Sequence, residues 1–246
     1  MRRTTLAAVA AGLLGMLPGR AQGQQAEVAL VYRLLQDGQM VVIPATGPER
    51  RAQLGDRLRH RDAVATSANT RAALRFVDDG SILRINPNSQ VRLTTGDERG
   101  ALVRTLELEF GEVWARVNRR DGAEFRVQTP AGVAAVKGTE FVVRVDSAGA
   151  TVITLEGVVE FFNDAGRTDV TAGRRASASS ASDAPQAAPA SPEELRQADD
   201  VGGEDGASSS AATWVEVQLQ DADGQTRTLM LQVPADALRG RVQGAP

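Results

Sequence analysis

From residue 72 to residue 162 the apolar side chains recur at every second position in short runs, and turn-forming residues separate one run from the next. Alternation of this kind puts successive side chains on opposite faces of an extended strand, whereas an amphipathic helix needs spacings of three and four. Ala72, Leu74 and Phe76 share one parity against Ala73, Arg75 and Val77, and Asp78-Asp79-Gly80-Ser81 then reads as a tight turn in which Gly80 takes the positive φ. Leu102, Leu106, Leu108 and Phe110 share a face that Arg104 interrupts, with Glu107 and Glu109 on the other, which describes a strand with one wet face. After Gly111 a separate strand is expected on Val113, Ala115 and Val117, and runs at 125–128, 133–136, 141–145, 152–155 and 158–162 continue the pattern. The expectation is an all-β domain of short strands, solenoid-like or sandwich-like, over residues 24–175.

The two ends of the chain read differently. Arg2 and Arg3 precede a 12-residue apolar run at 6–17 and the small residues Ala21 and Gly23, the layout of a secretory signal peptide over residues 1–23. The run is well short of the roughly 20 residues that cross a hydrocarbon core, and no other stretch comes near that length, so no stable membrane span is expected after cleavage. The chain has no cysteine, which excludes disulfides, thiolate metal sites and an N-terminal lipid-carrying cysteine and suits a bacterial envelope, periplasmic or secreted. Cleavage removes three of 28 basic residues and none of the 31 acidic ones, leaving a net charge of −6 and no electrostatic case for a nucleic-acid partner.

Residues 176–212 are rich in Ala, Ser, Pro, Asp and Gly, with Leu195 and Val201 the large apolar exceptions, and are expected to form a disordered linker. Ser191-Pro192-Glu193-Glu194 has the pattern of a helix-capping box, but the residues after it promise only a transient turn. Order returns over 213–246. Val215, Val217 and Leu219 alternate with polar residues, Asp221-Ala222-Asp223-Gly224 turns, and Leu229, Leu231 and Val233 alternate again, a β-hairpin with one apolar face that must dock, with an open edge of the domain as the expected place and strand addition to a partner's sheet as the alternative.

Nothing in the chain assembles a catalytic constellation. His60 is the single histidine and lies among Arg57, Arg59 and Arg61, with no triad around it. The Asp78-Asp79-Gly80 and Asp221-x-Asp223-Gly224 segments resemble calcium loops but lack the remaining ligands, and Glu107 and Glu109 on one strand face read as a solvated surface. The expectation is a protein that is not an enzyme and that uses no cofactor or metal.

The segment from Phe125 through Gln128 to Thr129-Pro130, and then Val136-Lys137-Gly138-Thr139-Glu140-Phe141, resembles the signature of the FecR domain. Val64-Ala65-Thr66, Leu74 to Ser81, Leu108 to Val113, Leu155-Glu156-Gly157-Val158-Val159 and Thr171-Ala172-Gly173 extend the likeness, in order, over about residues 60–175. The resemblance implies structural roles for Thr129, Pro130, Lys137, Gly138, Thr139, Phe141 and Gly157, with Gly138 inside a strand as a bulge or a close backbone approach. It also implies a periplasmic β-rich domain whose best-known relatives are transmembrane regulators that carry a signal from an outer-membrane transporter to a cytoplasmic sigma factor. Only the signal-peptide-like segment precedes the domain here, so a standalone exported protein that binds an envelope protein or surface polymer is expected, with a related signalling or sensor component as the alternative.

Overall fold

A strand of 16 residues, Ala101–Arg116, organises the molecule, and its bend at Gly111 decides the architecture. The computed structural model describes residues 26–35, 39–98, 100–202, 212–220 and 226–234. In chain order the strands are β1 (Glu27–Leu35), β2 (Met40–Ile43), β3 (Arg50–Arg51), β4 (Arg57–Arg59), β5 (Ala63–Thr66), β6 (Arg71–Phe76), β7 (Ile82–Ile85), β8 (Gln90–Glu98) and β9 (Ala101–Arg116). There follow β10 (Ala123–Thr129), β11 (Gly132–Val136), β12 (Glu140–Asp146), β13 (Gly149–Glu156), β14 (Val158–Asn163), β15 (Gly166–Thr171), β16 (Arg174–Ala178) and β17 (Gln186–Pro189). Helix α1 (Pro192–Gly202) and the strands β18 (Ala212–Gln220) and β19 (Thr226–Pro234) complete the order.

The first seventeen strands form one continuous sheet. Its strands sort along β9 into two ladders. The first half of β9 pairs with β8 and, in parallel, with β10, and the ladder continues outward through β5, β2 and β3 on one side and β11, β14 and β15 on the other. The second half pairs with β7 and β12 and continues through β6, β1 and β4 on one side and β13, β16 and β17 on the other. These are called the first and second ladders below.

Gly111 makes the bend, with φ +100°, and a Cβ there would fall 2.2 Å from Ser89 Oγ. Ser89 Oγ accepts the Glu112 N–H at 2.9 Å, which holds the corner, and the pairing of β8 with β9 shifts register between Gln90 and Val91. A strand that passes between ladders through a bend is a known way of turning a sheet back on itself. The inward rows of both ladders join one core: Phe76 of β6 meets Phe125 of β10 edge-on at 5.5 Å, and Phe125 meets Phe141 of β12 at 6.4 Å.

The all-β expectation holds. The expected break into two strands at Gly111 does not, because the bend keeps both halves hydrogen-bonded as β9. The bend also takes Phe110 off the buried face that it shares by parity with Leu108, leaving it 49% exposed.

The linker expected over 176–212 is corrected for its first part. Residues 176–178 belong to β16, which pairs with β13 and carries Ala176 and Ala178 into the core. β17 then adds to β16, and α1 follows. Composition misled here because Ala and Ser offer little apolar surface of their own, whereas a strand added to an existing ladder receives its backbone partners from a template already in place. The capping box is formed in both directions, with Ser191 N–H donating to Glu194 Oε2 at 2.8 Å and Glu194 N–H to Ser191 Oγ at 3.2 Å. Leu195, Ala198 and Val201 then pack on Trp114, Val142 and Ile153, a second apolar cluster on the outer face of the second ladder.

The C-terminal hairpin is present as β18 and β19, with Val215 opposite Leu231 and Val217 opposite Leu229. The segment expected to be a signal peptide, residues 203–211, the hairpin turn at 221–225 and the last residues of the tail lie outside the described residues.

Candidate functional site

The residues singled out by the family signature gather where the chain passes between ladders. β11 belongs to the first ladder and β12 to the second, so residues 137–139 form the crossing. Gly138 therefore stands between two strands and not inside one, which corrects the strand-bulge expectation, while the close approach is real: φ is +81° and a Cβ would sit 2.9 Å from Arg119 Cβ. Thr139 is buried, donates its hydroxyl to Val158 O at 3.1 Å and accepts the Val117 N–H at its backbone oxygen at 2.9 Å. Gly157 closes the other side, since a Cβ there would come within 3.0 Å of both Gly138 O and Thr139 Oγ1.

The other signature residues divide between core and turn. Phe141 is fully buried. Thr129 ends β10 and satisfies the turn to β11 with one hydroxyl, which donates to Gly132 O at 2.8 Å and accepts the N–H groups of Ala131 at 3.3 Å and Gly132 at 3.1 Å. Pro130 stands exposed at that turn, and Lys137 is exposed with Nζ 4.0 Å from Glu124.

A second constellation was legible only as an irregularity in the pattern. Arg104, the residue that breaks the apolar parity of β9, is 2% exposed and lies in the interior. Its guanidinium pairs with Asp78 at 3.3 Å and with Asp79, and sits 5.2 Å from the ring centre of Phe76 and 5.5 Å from that of Phe125. Arg120 reaches the other oxygen of Asp78 at 3.2 Å. Burial pushes the Asp78 carboxyl above its ordinary range, against the pull of Arg104, while the charge of Asp79 adds to the rise. The signal in the sequence was an arginine at an inward position together with two adjacent aspartates in a turn, neither of which names the other. A shallow pocket lined by Glu27, Asp78, Arg104 and Arg120 opens beside this cluster.

The remaining candidates are likewise engaged in the architecture. His60 Nδ1 accepts the Thr95 N–H at 3.1 Å, joining the loop after β4 to β8. Glu107 pairs with Arg92 at 3.3 Å and Glu109 accepts from Gln90 Nε2 at 3.3 Å, both on the outer face of the first ladder. The Asp79 carboxylate, part of the calcium-like segment, takes the Ser81 N–H at 2.8 Å in addition to Arg104, so the turn and the buried arginine occupy it. The second such segment, Asp221 to Gly224, lies outside the described residues.

Against this geometry, the family model described as "FecR protein" matches residues 62–160, the stretch that contains β9, the Arg104 cluster and the ladder crossing. No curated protein matches the chain. Two crystal structures described as a "putative anti-sigma factor" from Parabacteroides distasonis ATCC 8503, at 1.65 and 2.50 Å resolution, share 17% identity with it, at TM-scores of 0.47 and 0.46. Each comparison covers 55% of this chain, which spans 62% of the length of those structures. Residues 62–160 of this chain thus match the FecR family model, and they lie within the two-ladder β-structure described above.

Proposed function

We propose that the protein acts without catalysis of its own, as an exported FecR-domain protein that binds an envelope protein or a surface polymer. The observation that carries this reading is the engagement of the domain's reactive side chains: Arg104, Asp79, His60 and Glu107 each serve a packing or pairing role within the fold. The export half of the reading rests on the signal-peptide layout of residues 1–23. Binding falls to surface, and the outer face of the first ladder supplies it, with polar positions such as Gln128, Arg126 and Glu107 alternating with core residues. Crosslinking in the intact envelope, followed by identification of the captured molecule, tests this. One partner, lost when Gln128 and Arg126 are both replaced by Glu in a folded variant, is the expected result. A hydrolytic activity abolished by His60→Ala or Glu107→Ala in folded protein would replace the binding reading with an enzymatic one.

A second reading, an envelope signalling or sensor component related to the FecR-type regulators of sigma factors, is favoured by the FecR domain itself. N-terminal sequencing of the exported protein separates the two, since a start at Gln22 or Gln24 fits the released form and an intact Met1 fits a retained anchor.

A further inference from the structure

The outer face of the second ladder is covered by α1 over only part of its width. The cross-strand register lays one row along that face, Ala73 of β6 beside Arg84 of β7, Trp114 of β9 and Val142 of β12, and a neighbouring row with Leu30 of β1 beside Arg75 and Ile82. α1 seals Trp114, Val142 and Ile153, and the apolar cluster beneath it reaches only as far as Ile82. Beyond that limit Leu30 is 0% and Ala73 4% exposed, although both point away from the core between the ladders. Val28, Ala29, Leu30 and Val31 are buried in succession, the pattern of a strand covered on both faces.

The course of the chain indicates what lies there. Glu194, in the first turn of α1, pairs with Arg175 of β16 at 3.0 Å, and Val201 O, in its last turn, accepts from Arg84 of β7 at 3.2 Å. The helix thus runs across the ladder from β16 to β7, and its end is aimed at β6 and β1. Nine residues, 203–211, separate it from β18. They reach about 30 Å when extended, whereas β1 lies two strands past β7, about 10 Å away. The hairpin register sets Val215 against Leu231 and Val217 against Leu229, so both apolar rows fall on one face of the hairpin. Glu204 and Asp205 of the connecting segment suit the outer face of β1, β6 and β7, which carries Arg33, Arg71, Arg75 and Arg84, while Arg227 of β19, opposite Leu219, brings one like charge.

We propose that the C-terminal hairpin, β18 and β19, seats its apolar face on the outer face of β1 and β6 of the same chain, beside α1. The seat is a sheet face, in place of the open edge that the alternation of the tail suggests. The hairpin and α1 together then form a continuous C-terminal cover over the second ladder and leave the outer face of the first ladder to partners.

The native chain has no cysteine, so paired substitutions in the full-length protein report the contact directly. The Ala73→Cys, Val217→Cys variant is expected to form an intrachain disulfide under mild oxidation at least about tenfold faster than a Gln128→Cys, Val217→Cys variant, because docking brings the two thiols into contact and raises the local concentration of one at the other. The pair Arg33→Cys, Val217→Cys reads the same contact from the half-buried flank, leaving the apolar row intact, and serves if the Ala73 variant does not fold. Equal rates for the Ala73 and Gln128 pairs, or bridges between chains in place of bridges within one, would overturn the proposal. The second of those results would hand the face to another copy of the chain.

Discussion

Strands of the two ladders bury their residues by different rules, most plainly β10 and β11 of the first against β12 and the second half of β9 in the second. In the first, β10 and β11 alternate strictly, with Phe125 and Val127 inward and Arg126 and Gln128 outward. In the second, Val113, Trp114 and Ala115 are buried in succession, as are Phe141, Val142 and Val143. Alternation marks a sheet with one wet face, and unbroken burial marks one covered on both. The difference shows that α1 is a structural cover over part of the second ladder, while β10 and β11 of the first ladder keep one open face.

The contrast can be broken most severely by a charge on each outer face. Val142→Asp buries an unpaired carboxylate under α1 and is expected to cost about 5 kcal/mol, whereas Gln128→Asp, on the wet face, should stay within about 0.5 kcal/mol. Urea unfolding of the two variants compares them, and similar losses would dissolve the distinction. Between the ladders, Arg104→Leu leaves Asp79 without its buried counter-charge and Asp78 with Arg120 alone, for an expected loss of about 3 to 5 kcal/mol. Adding Asp78→Asn and Asp79→Asn to that variant should recover a large part of it, as no buried charge then lacks a partner. At the crossing that joins the ladders, Gly138→Val meets both the positive φ and the Arg119 backbone, and a cost of about 1 to 3 kcal/mol should appear as a lowered Tm.

The smallest effect sharpens the account of the cover itself. The Ser191 N–H, held by the Glu194 carboxylate, keeps that carboxyl below its usual range, and Arg175 adds to this. A depressed folded-state pKa gives stability that is present above the ordinary value of 4.5 and is lost as pH falls through the lower folded value. The Tm of the native chain should therefore fall more steeply below pH 4.5 than that of Glu194→Gln, and parallel curves would remove the capping box from the account.

The sequence made the first ladder legible because its alternation is a local signal. Phe125, Val127, Val159 and Phe161 could be assigned to the core from parity alone, and the FecR signature singled out Gly138 as a close approach but set it inside a strand, where the structure has the crossing. The second ladder was harder to read because its outward residues are buried by an element distant in the chain. Trp114 and Val142 are covered by Leu195 and Ala198, in a stretch whose Ala- and Ser-rich composition gives no sign of order before a template is present. β1 was missed for a related reason, since its partners β4 and β6 lie far along the chain, whereas β8 pairs with the neighbouring β9 and was missed because its alternation is confined to Val91 and Leu93 before a polar run. Arg104 was visible only as a polar residue on an apolar face, and its aspartates lie 26 and 25 residues away.

Solvent access at matched positions separates a covered ladder face from an open one. Single substitutions Val142→Cys and Gln128→Cys place one thiol on the outer face of each ladder in a chain that otherwise has none, and maleimide labelling of the native protein measures how open each face is. Labelling is expected to be rapid at position 128 and, at position 142, only as fast as α1 lifts or the protein unfolds. Equal, rapid labelling at both positions would contradict this.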